Sequence, residues 1–238
     1  MKPPKASFVI PCFNGQAFLA ETIQSCLDQT NPRIEVIVVD DGSTDGTKDL
    51  LAHFSQADER VRVFQVGARL GRSNARNLGI EAAKSDIILT LDADDVSFRD
   101  RAERTIQFFK KNPGVDIVYS NCHNIDAWGE LIIFQDQNGK QTAEFPAMPF
   151  DFERVKKTLN TYIPCHSSMS FRKHVFEKVK YETGAFSENG IDDWRFQVDA
   201  HQAGFKFGQI NRVLVQYRYL PKTRDEEAIK KLKEAVLA

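Results

Sequence analysis

At 238 residues with 42% hydrophobic side chains, the chain can bury the core of one large α/β domain or two small ones. Its 32 Lys plus Arg against 33 Asp plus Glu leave a net charge of −1, which removes any general argument for nucleic acid or an anionic bilayer as partner. Cys12, Cys26, Cys122 and Cys165 are scattered without a Cys-x-x-Cys pair, and no stretch is apolar enough to span a membrane; buried thiols in a reducing cytoplasm are the expectation.

The first half alternates between strand and helix. Phe8–Ile10 reads as a strand halted by Pro11, followed by a Cys12–Gly15 loop and a helix from about Ala17 to Leu27 with Leu19, Ile23 and Cys26 on its buried stripe. Ile34–Val39 is a second strand ending in Asp40 and Asp41, and Gly42–Gly46 supplies a turn before a helix through Leu50, Leu51 and Phe54. Val61–Val66 is a third strand, and Gly71 opens a helix over about Ser73–Ala83. Ile87–Leu91, apolar without alternation, predicts a strand covered on both faces. This order predicts right-handed crossovers and an α/β, Rossmann-like, mostly parallel sheet flanked by helices.

Asp92, Asp94 and Asp95 follow that strand directly. Ligands of open α/β sheets bind beyond the carboxyl ends of the strands, so these acids and Asp40 and Asp41 belong to one edge. Clustered carboxylates repel unless a cation compensates, which points to a hard divalent metal; the alternative is an acidic cap on the next helix.

The second half is less regular. A helix is expected from about Arg99 to Lys111, a strand at Asp116–Ser120, and a hairpin turn at Ala127–Glu130 between strands near Asn121–Asp126 and Leu131–Phe134. Gln135–Pro149 reads as a mobile polar loop, Phe152, Val155 and Leu159 as a short helix, and Met169–Phe171 as a strand reached through Ile163–His166. Asp192 and Asp193 open a helix to about Ala203, Phe205–Ile210 and Val213–Tyr219 read as two strands, and the tail carries Ile229, Leu232, Val236 and Leu237 at helical spacing.

Five motifs in order, Ser7–Asn14 (SFVIPCFN), Val38–Asp45 (VVDDGSTD), Gly71–Gly79 (GRSNARNLG), Leu91–Asp95 (LDADD) and Ile191–Trp194 (IDDW), resemble those of the family 2 inverting glycosyltransferases. The resemblance covers about residues 6–219. It implies a GT-A fold, with a nucleotide-sugar half over residues 1–95 continuous with a more variable acceptor and catalytic half over 96–221 that carries a smaller mixed acceptor-side region, before an amphipathic helix in 222–238. It implies transfer of a sugar, most often from a uridine diphosphate donor, to a hydroxyl of a glycan or lipid-linked acceptor, with Mn²⁺ or Mg²⁺ neutralising the leaving diphosphate.

The same resemblance distributes the residues. Asp94 becomes the metal ligand, Asp92 and Ala93 lie at the ribose side or beside the metal, and Asp95 orients the loop or caps the next helix. Asp40 or Asp41 accepts a hydrogen bond from the uracil imide, with Asp40 at the base and Asp41 bracing the Gly42–Ser43 turn. Pro11, Phe13 and Asn14 line the first loop, with Phe13 supporting the base or lying in the core, and Arg76 reaches the diphosphate or a carboxylate of the site, a purely structural ion pair being the alternative. Asp193 is the general base, because inversion needs one carboxylate opposite the leaving group. Asp192 is an acceptor-side candidate or an N-cap and Trp194 a ring beside the sugar, while His166, from its place before a strand, touches the acceptor or a phosphate or is a structural histidine. No Gln-x-x-Arg-Trp motif follows Trp194, against processive polymer synthesis. Tyr217-Arg218 lacks the nearby His that completes the metal shell in many members. The competing readings are a sugar nucleotidyltransferase, a receiver-like module and a non-catalytic nucleotide-sugar-binding protein. The tail helix is expected to pack on its own domain, with docking at the inner membrane face or on a second copy as alternatives.

Overall fold

The computed structural model describes residues 2–135, 139–146, 151–158, 165–220 and 226–237. Strands and helices alternate first as β1 (Ala6–Cys12), α1 (Leu19–Leu27), β2 (Ile34–Asp40), α2 (Thr47–Ala57), β3 (Val61–Gln65), α3 (Arg72–Ala82) and β4 (Ile87–Thr90). There follow β5 (Val96–Ser97), α4 (Arg101–Lys111), β6 (Ile117–Ile125), β7 (Phe134–Gln135), β8 (Gln141–Thr142), β9 (Glu144–Phe145) and α5 (Phe152–Thr158). A 3-10 turn at His166–Ser168 then leads to β10 (Ser170–Arg172), α6 (His174–Lys178), α7 (Ala185–Glu188), α8 (Asp192–Gln202), β11 (Phe207–Arg218) and α9 (Glu226–Leu237).

One sheet runs β3-β2-β1-β4-β10-β6-β11-β5, with β9 added beside β6. Parallel ladders at β1–β2, β2–β3 and β6–β11 carry most of the pairing, and the antiparallel ones are two or three residues long. β1 lies between β2 and β4, so the winding reverses there and leaves a crevice outside their carboxyl ends.

Side-chain alternation divides the core between the two faces. Val9, Ile37 and Val39 pack with Ala75 and Ile80 of α3 and Phe196 and Ala200 of α8. Phe8, Ile10, Val36 and Val38 pack with Leu19 and Ile23 of α1, Leu51 of α2 and Ala102 of α4. The strands are apolar throughout because both faces are covered. A Cβ on Gly79 would lie 2.6 Å from Val9 Cγ1, so this glycine lets α3 settle onto β1.

Pro11 does not halt β1, which continues to Cys12 in register with β2. Val9 O accepts from Leu91 on the β4 side and Cys12 O from Asp41 on the β2 side, so by alternation Pro11 faces the β4 side. Pairing with β4 has already stopped at Val9, and the missing amide costs no ladder bond. The two strands expected over 205–219 are one strand, β11, with register shifts between Ile210 and Val215. Of the Ala127–Glu130 hairpin, the turn forms, but its return is a single bridge from Leu131 to Ile125. In the Gln135–Pro149 segment, read as a loop, the described residues form β8 and β9, while 136–138 and 147–149 lie outside the described residues, as do 159–164 of the stretch leading to β10.

Ile229 of α9 is buried against Val155, Trp194 and Val198, with Leu232, Val236 and Leu237 around it, so the tail helix packs on its own domain. Among the described residues no helix is long and apolar enough to cross a membrane. The cysteines are free thiols, and burial pushes Cys12 and Cys26 up to about 12.

Candidate functional site

A cleft of about 830 Å³ opens at the carboxyl ends of β1 and β4. Pro11–Gly15, Asp41, Arg69–Arg72 and Asp92–Asp94 line it, together with Gly184, Ser187, Glu188 and Gly190, of which Ser187 and Gly190 abut the start of α3. Pro11, Phe13, Asn14, Asp92, Ala93 and Asp94 thus meet where the sequence placed them.

The first loop is held by local chemistry. Asn14 takes a positive φ of 52°, a conformation Asn tolerates, and its amide donates to Ser43 Oγ at 2.8 Å while its Oδ1 accepts from Thr44 N at 2.9 Å. These bonds lash the Pro11–Gly15 loop to the Gly42–Gly46 turn. Phe13 is 37% exposed at the cleft wall, and the Arg69 guanidinium sits 4.0 Å from its ring centroid.

The turn brace expected of Asp41 is made by Asp40. Asp40 Oδ1, not Asp41, accepts from Ser43 N at 3.0 Å and braces the turn. Asp41 reaches the other way, accepting from Leu70 N at 2.7 Å and Gly71 N at 2.8 Å, and so fixes the segment leading into α3. The turn brace falls to Asp40 because its amide and carboxylate belong to the strand end, three residues before Ser43. Asp40 is fully buried and its Oδ2 has no hydrogen-bond partner among the described residues.

The carboxylates after β4 are sorted by their neighbours. Asp95 is fully buried, accepts from Arg218 N at 2.8 Å and from Ser167 Oγ, and therefore braces the loop; α4 starts only at Arg101, after Asp100. Burial, with Asp94 and Asp92 nearby, pushes Asp95 well above the usual carboxylate range. Asp92 pairs with Arg76 at 2.6 Å, and its backbone amide donates to Ser167 Oγ at 2.9 Å. Burial works to raise the Asp92 carboxyl, but opposing charge led by Arg76 carries it below the ordinary range. Beneath them the buried Arg101 donates to Thr90 O at 2.9 Å and Met169 O at 3.1 Å, pinning the strand end from which the acids emerge.

Arg76 is 2% exposed and joins the two halves of the site: one nitrogen bonds Asp92 and another Asp192. Asp192 does not cap α8; it is fully buried, and its second oxygen pairs with Arg72 at 2.6 Å. Burial opposes its charge, yet Arg76 and Arg72 hold its carboxyl below the usual range. Beside it Asp193 moves the opposite way, raised by burial and by the charge of Asp192. Asp193 lies three residues after the cleft-lining Gly190, in the first turn of α8, and is not itself part of the lining.

Three expected acceptor contacts, the buried Asp192 and two rings, are not part of the cleft lining. Trp194 is 2% exposed, packed in the Val155–Ile229 cluster that receives α9, so its ring does not face a sugar. His166 is buried, meets the Tyr181 hydroxyl at 3.2 Å through Nε2, and gives its backbone carbonyl to Thr90; burial and then the Arg76 charge push it down to about 3. It is a structural histidine.

Arg69, Arg72 and Arg218 are the residues sequence reasoning undervalued. Arg72 precedes Arg76 by one helical turn, a spacing that placed both guanidiniums on one face. Arg218 is 3% exposed and donates to Asp94 O at 2.9 Å, Asp126 O at 3.0 Å and Glu21 Oε2 at 2.6 Å, tying the acidic loop to β6 and α1.

Among the described residues no group of three or more His, Cys, Asp or Glu side chains is arranged to hold a metal. The acidic loop offers hard oxygen from Asp94 and from Asp92, Asp95 being committed to Ser167 and Arg218. That donor set fits Mg²⁺ or Mn²⁺ held by one or two carboxylates with the remaining ligands from a diphosphate and water.

The sequence model of glycosyl transferase family 2 matches residues 7–180. An uncharacterised glycosyltransferase of Methanocaldococcus jannaschii is 26% identical over 236 residues, covering 98% of this chain and 77% of its own. TuaG of Bacillus subtilis, assigned to teichuronic acid biosynthesis as a glycosyltransferase, is 37% identical over 105 residues, 44% of this chain and 42% of TuaG. Among solved structures, Staphylococcus aureus TarS 1-349 in complex with UDP superposes with a TM-score of 0.69 at 17% identity, covering 98% of this chain and 65% of that one. The same TarS fragment with UDP-GlcNAc gives 0.67 over 92% of this chain and 60% of that one. The chain thus spans less than half of TuaG and under two thirds of the TarS fragment, and the likeness to TarS shows the fold, the α/β GT-A arrangement expected from the sequence.

Proposed function

Because the chain belongs to the family 2 glycosyltransferases, we propose that it moves a sugar from a uridine diphosphate donor to a hydroxyl of a glycan or lipid-linked acceptor with inversion. The observation that carries this reading is the Arg76 bridge, which places the Asp92–Asp94 loop against the Asp192–Asp193 helix start across more than a hundred residues of chain. In this reading that bridge joins the donor acids, which line the cleft, to the acceptor-side helix start just behind it.

In this reading the base rests against Phe13 and Arg69, and Asp40 accepts the uracil imide proton. What supports that assignment is that its Oδ2 has no partner among the described residues, while the adjacent, cleft-lining Asp41 is already engaged by Leu70 N and Gly71 N. Asp94, with Asp92, would hold Mg²⁺ or Mn²⁺; when bound, the cation neutralises charge on the departing diphosphate. Arg72 faces the cleft from α3 and adds positive charge near the same phosphates. Asp193 accepts the acceptor hydroxyl proton as that oxygen attacks the anomeric carbon; the bond from that carbon to the phosphate oxygen breaks and the nucleoside diphosphate leaves. The raised Asp193 carboxyl supports a base role, being better matched to a proton that leaves near neutral pH. The TarS complexes with UDP and UDP-GlcNAc support a uridine nucleotide as donor.

The test is thermal. UDP with Mn²⁺ at about a hundred times its Kd adds roughly 2.7 kcal/mol, which for a chain of this size raises Tm by roughly 5–11 °C. Asp94→Ala removes the metal-dependent part of that rise. No shift with any nucleoside diphosphate would overturn the donor site.

A further inference from the structure

We propose that Trp128 is a stacking platform for the acceptor saccharide, set at the rim of the cleft by Arg218. The inference rests on the glycosyl-transfer reading and goes beyond it by assigning where the acceptor is held.

Of the two tryptophans, Trp194 is 2% exposed and Trp128 is 86% exposed. A ring left open to that degree contributes almost no burial to folding, and Trp is among the side chains that contribute most where a surface does bind. The turn that carries it is braced. Asp126 Oδ1 accepts from Trp128 N at 2.9 Å and from Glu130 N at 3.0 Å, and Gly129, at φ +86°, closes the turn with its amide on Asp126 O. A ring on a fixed turn loses little entropy on binding.

Its position is set by one buried side chain. Arg218 donates through Nη1 to Asp126 O at 3.0 Å and Ala127 O at 3.3 Å, and through Nε to Asp94 O at 2.9 Å. The backbone next to Trp128 and the cleft-lining acid are therefore separated by the width of one guanidinium. Two residues on, Leu220 lines the cleft, and between them Tyr219 is 60% exposed with its amide bonded to Ile125 O at 2.8 Å. The turn that carries Trp128 and the segment that carries Tyr219 are thus both tied to residues of the cleft lining, Asp94 and Leu220.

The occupant is a saccharide. A pyranose presents a C–H face that suits the negative face of an indole, with equatorial hydroxyls left for acids nearby. Glu130 on the same turn and Glu21, held by Arg218, supply such acids. The segment from Asp126 to Gln135 contains two acids and no Lys or Arg, so an anionic bilayer is repelled there.

The experiment is ¹⁹F NMR on the full chain labelled with 5-fluorotryptophan, with Trp128→Phe assigning the two resonances. With UDP bound, chitotetraose, cellotetraose and a galactotetraose are titrated in turn. At least one shifts or broadens the Trp128 signal and leaves Trp194 unmoved, and Trp128→Ala weakens its binding about tenfold by saturation-transfer NMR. The UDP-induced rise in Tm is unchanged in that variant. Three results overturn the proposal: no saccharide perturbs Trp128; phosphatidylcholine–phosphatidylglycerol vesicles perturb it and the saccharides do not; or Trp128→Ala only dissolves a dimer. Loss of the UDP shift in the unmutated chain would instead overturn the donor reading.

Discussion

Replacing Arg76 by Met is the sharpest probe of the site's construction. Methionine keeps much of the apolar stem and removes the guanidinium that is 2% exposed between Asp92 and Asp192. Asp192, fully buried, keeps Arg72, whereas Asp92 loses the partner given by its 2.6 Å ion pair. Breaking one side of a buried pair costs about 3–5 kcal/mol, and Asp92, whose side chain is 23% exposed at the cleft, places the loss toward the lower end of that range. For a domain of this size that is a fall in Tm of roughly 6–20 °C. The pH dependence carries the sign. Arg76 holds both carboxyls below their ordinary range, so its stabilisation is present above the unfolded carboxylate value, about 3.9, and is lost as pH falls through the folded ones. The gap between the parent protein and Arg76→Met, read by urea denaturation, is therefore widest near pH 7 and narrows toward pH 3. A loss below about 1 kcal/mol, or a gap that stays constant with pH, would refute the idea that Arg76 is held by these two charges.

Two further tests address the base and the tail. Asp193 is raised by burial and by Asp192, and a base works deprotonated, so kcat/KM climbs with pH through a midpoint above the ordinary carboxylate value of about 3.9. Asp193→Asn keeps the UDP-induced Tm rise and loses transfer; transfer at near the parent rate places the base elsewhere. Ile229→Ala empties a position that is 5% exposed under α9, at a cost of about 2–4 kcal/mol. It also wets Trp194, so tryptophan emission shifts to the red; an unchanged spectrum would mean α9 does not cover that ring.

The cleft's donor wall was readable because its parts are local. An apolar run that ends in acids is a buried strand reaching a sheet edge, and Ile34–Asp41 and Ile87–Asp95 have that form on their own. The Asn14 loop and the Ser43 turn likewise follow from residues that favour those backbone conformations. Five such segments in order were enough to recognise the family and its fold.

What the sequence could not contain was which distant groups compensate one another. Asp192 followed by a helix looks like a cap until Arg72 and Arg76, more than a hundred residues earlier, arrive beside it. Trp194 looks like a sugar platform until Ile229 covers it, and Trp128 looks like a turn residue until Arg218 ties its backbone to Asp94. The chain alone determined its alternating elements and the acids at their ends, because periodicity and turn chemistry act over a few residues. The tertiary structure decided what each acid and each ring does, because burial and charge pairing depend on neighbours that the sequence keeps far apart.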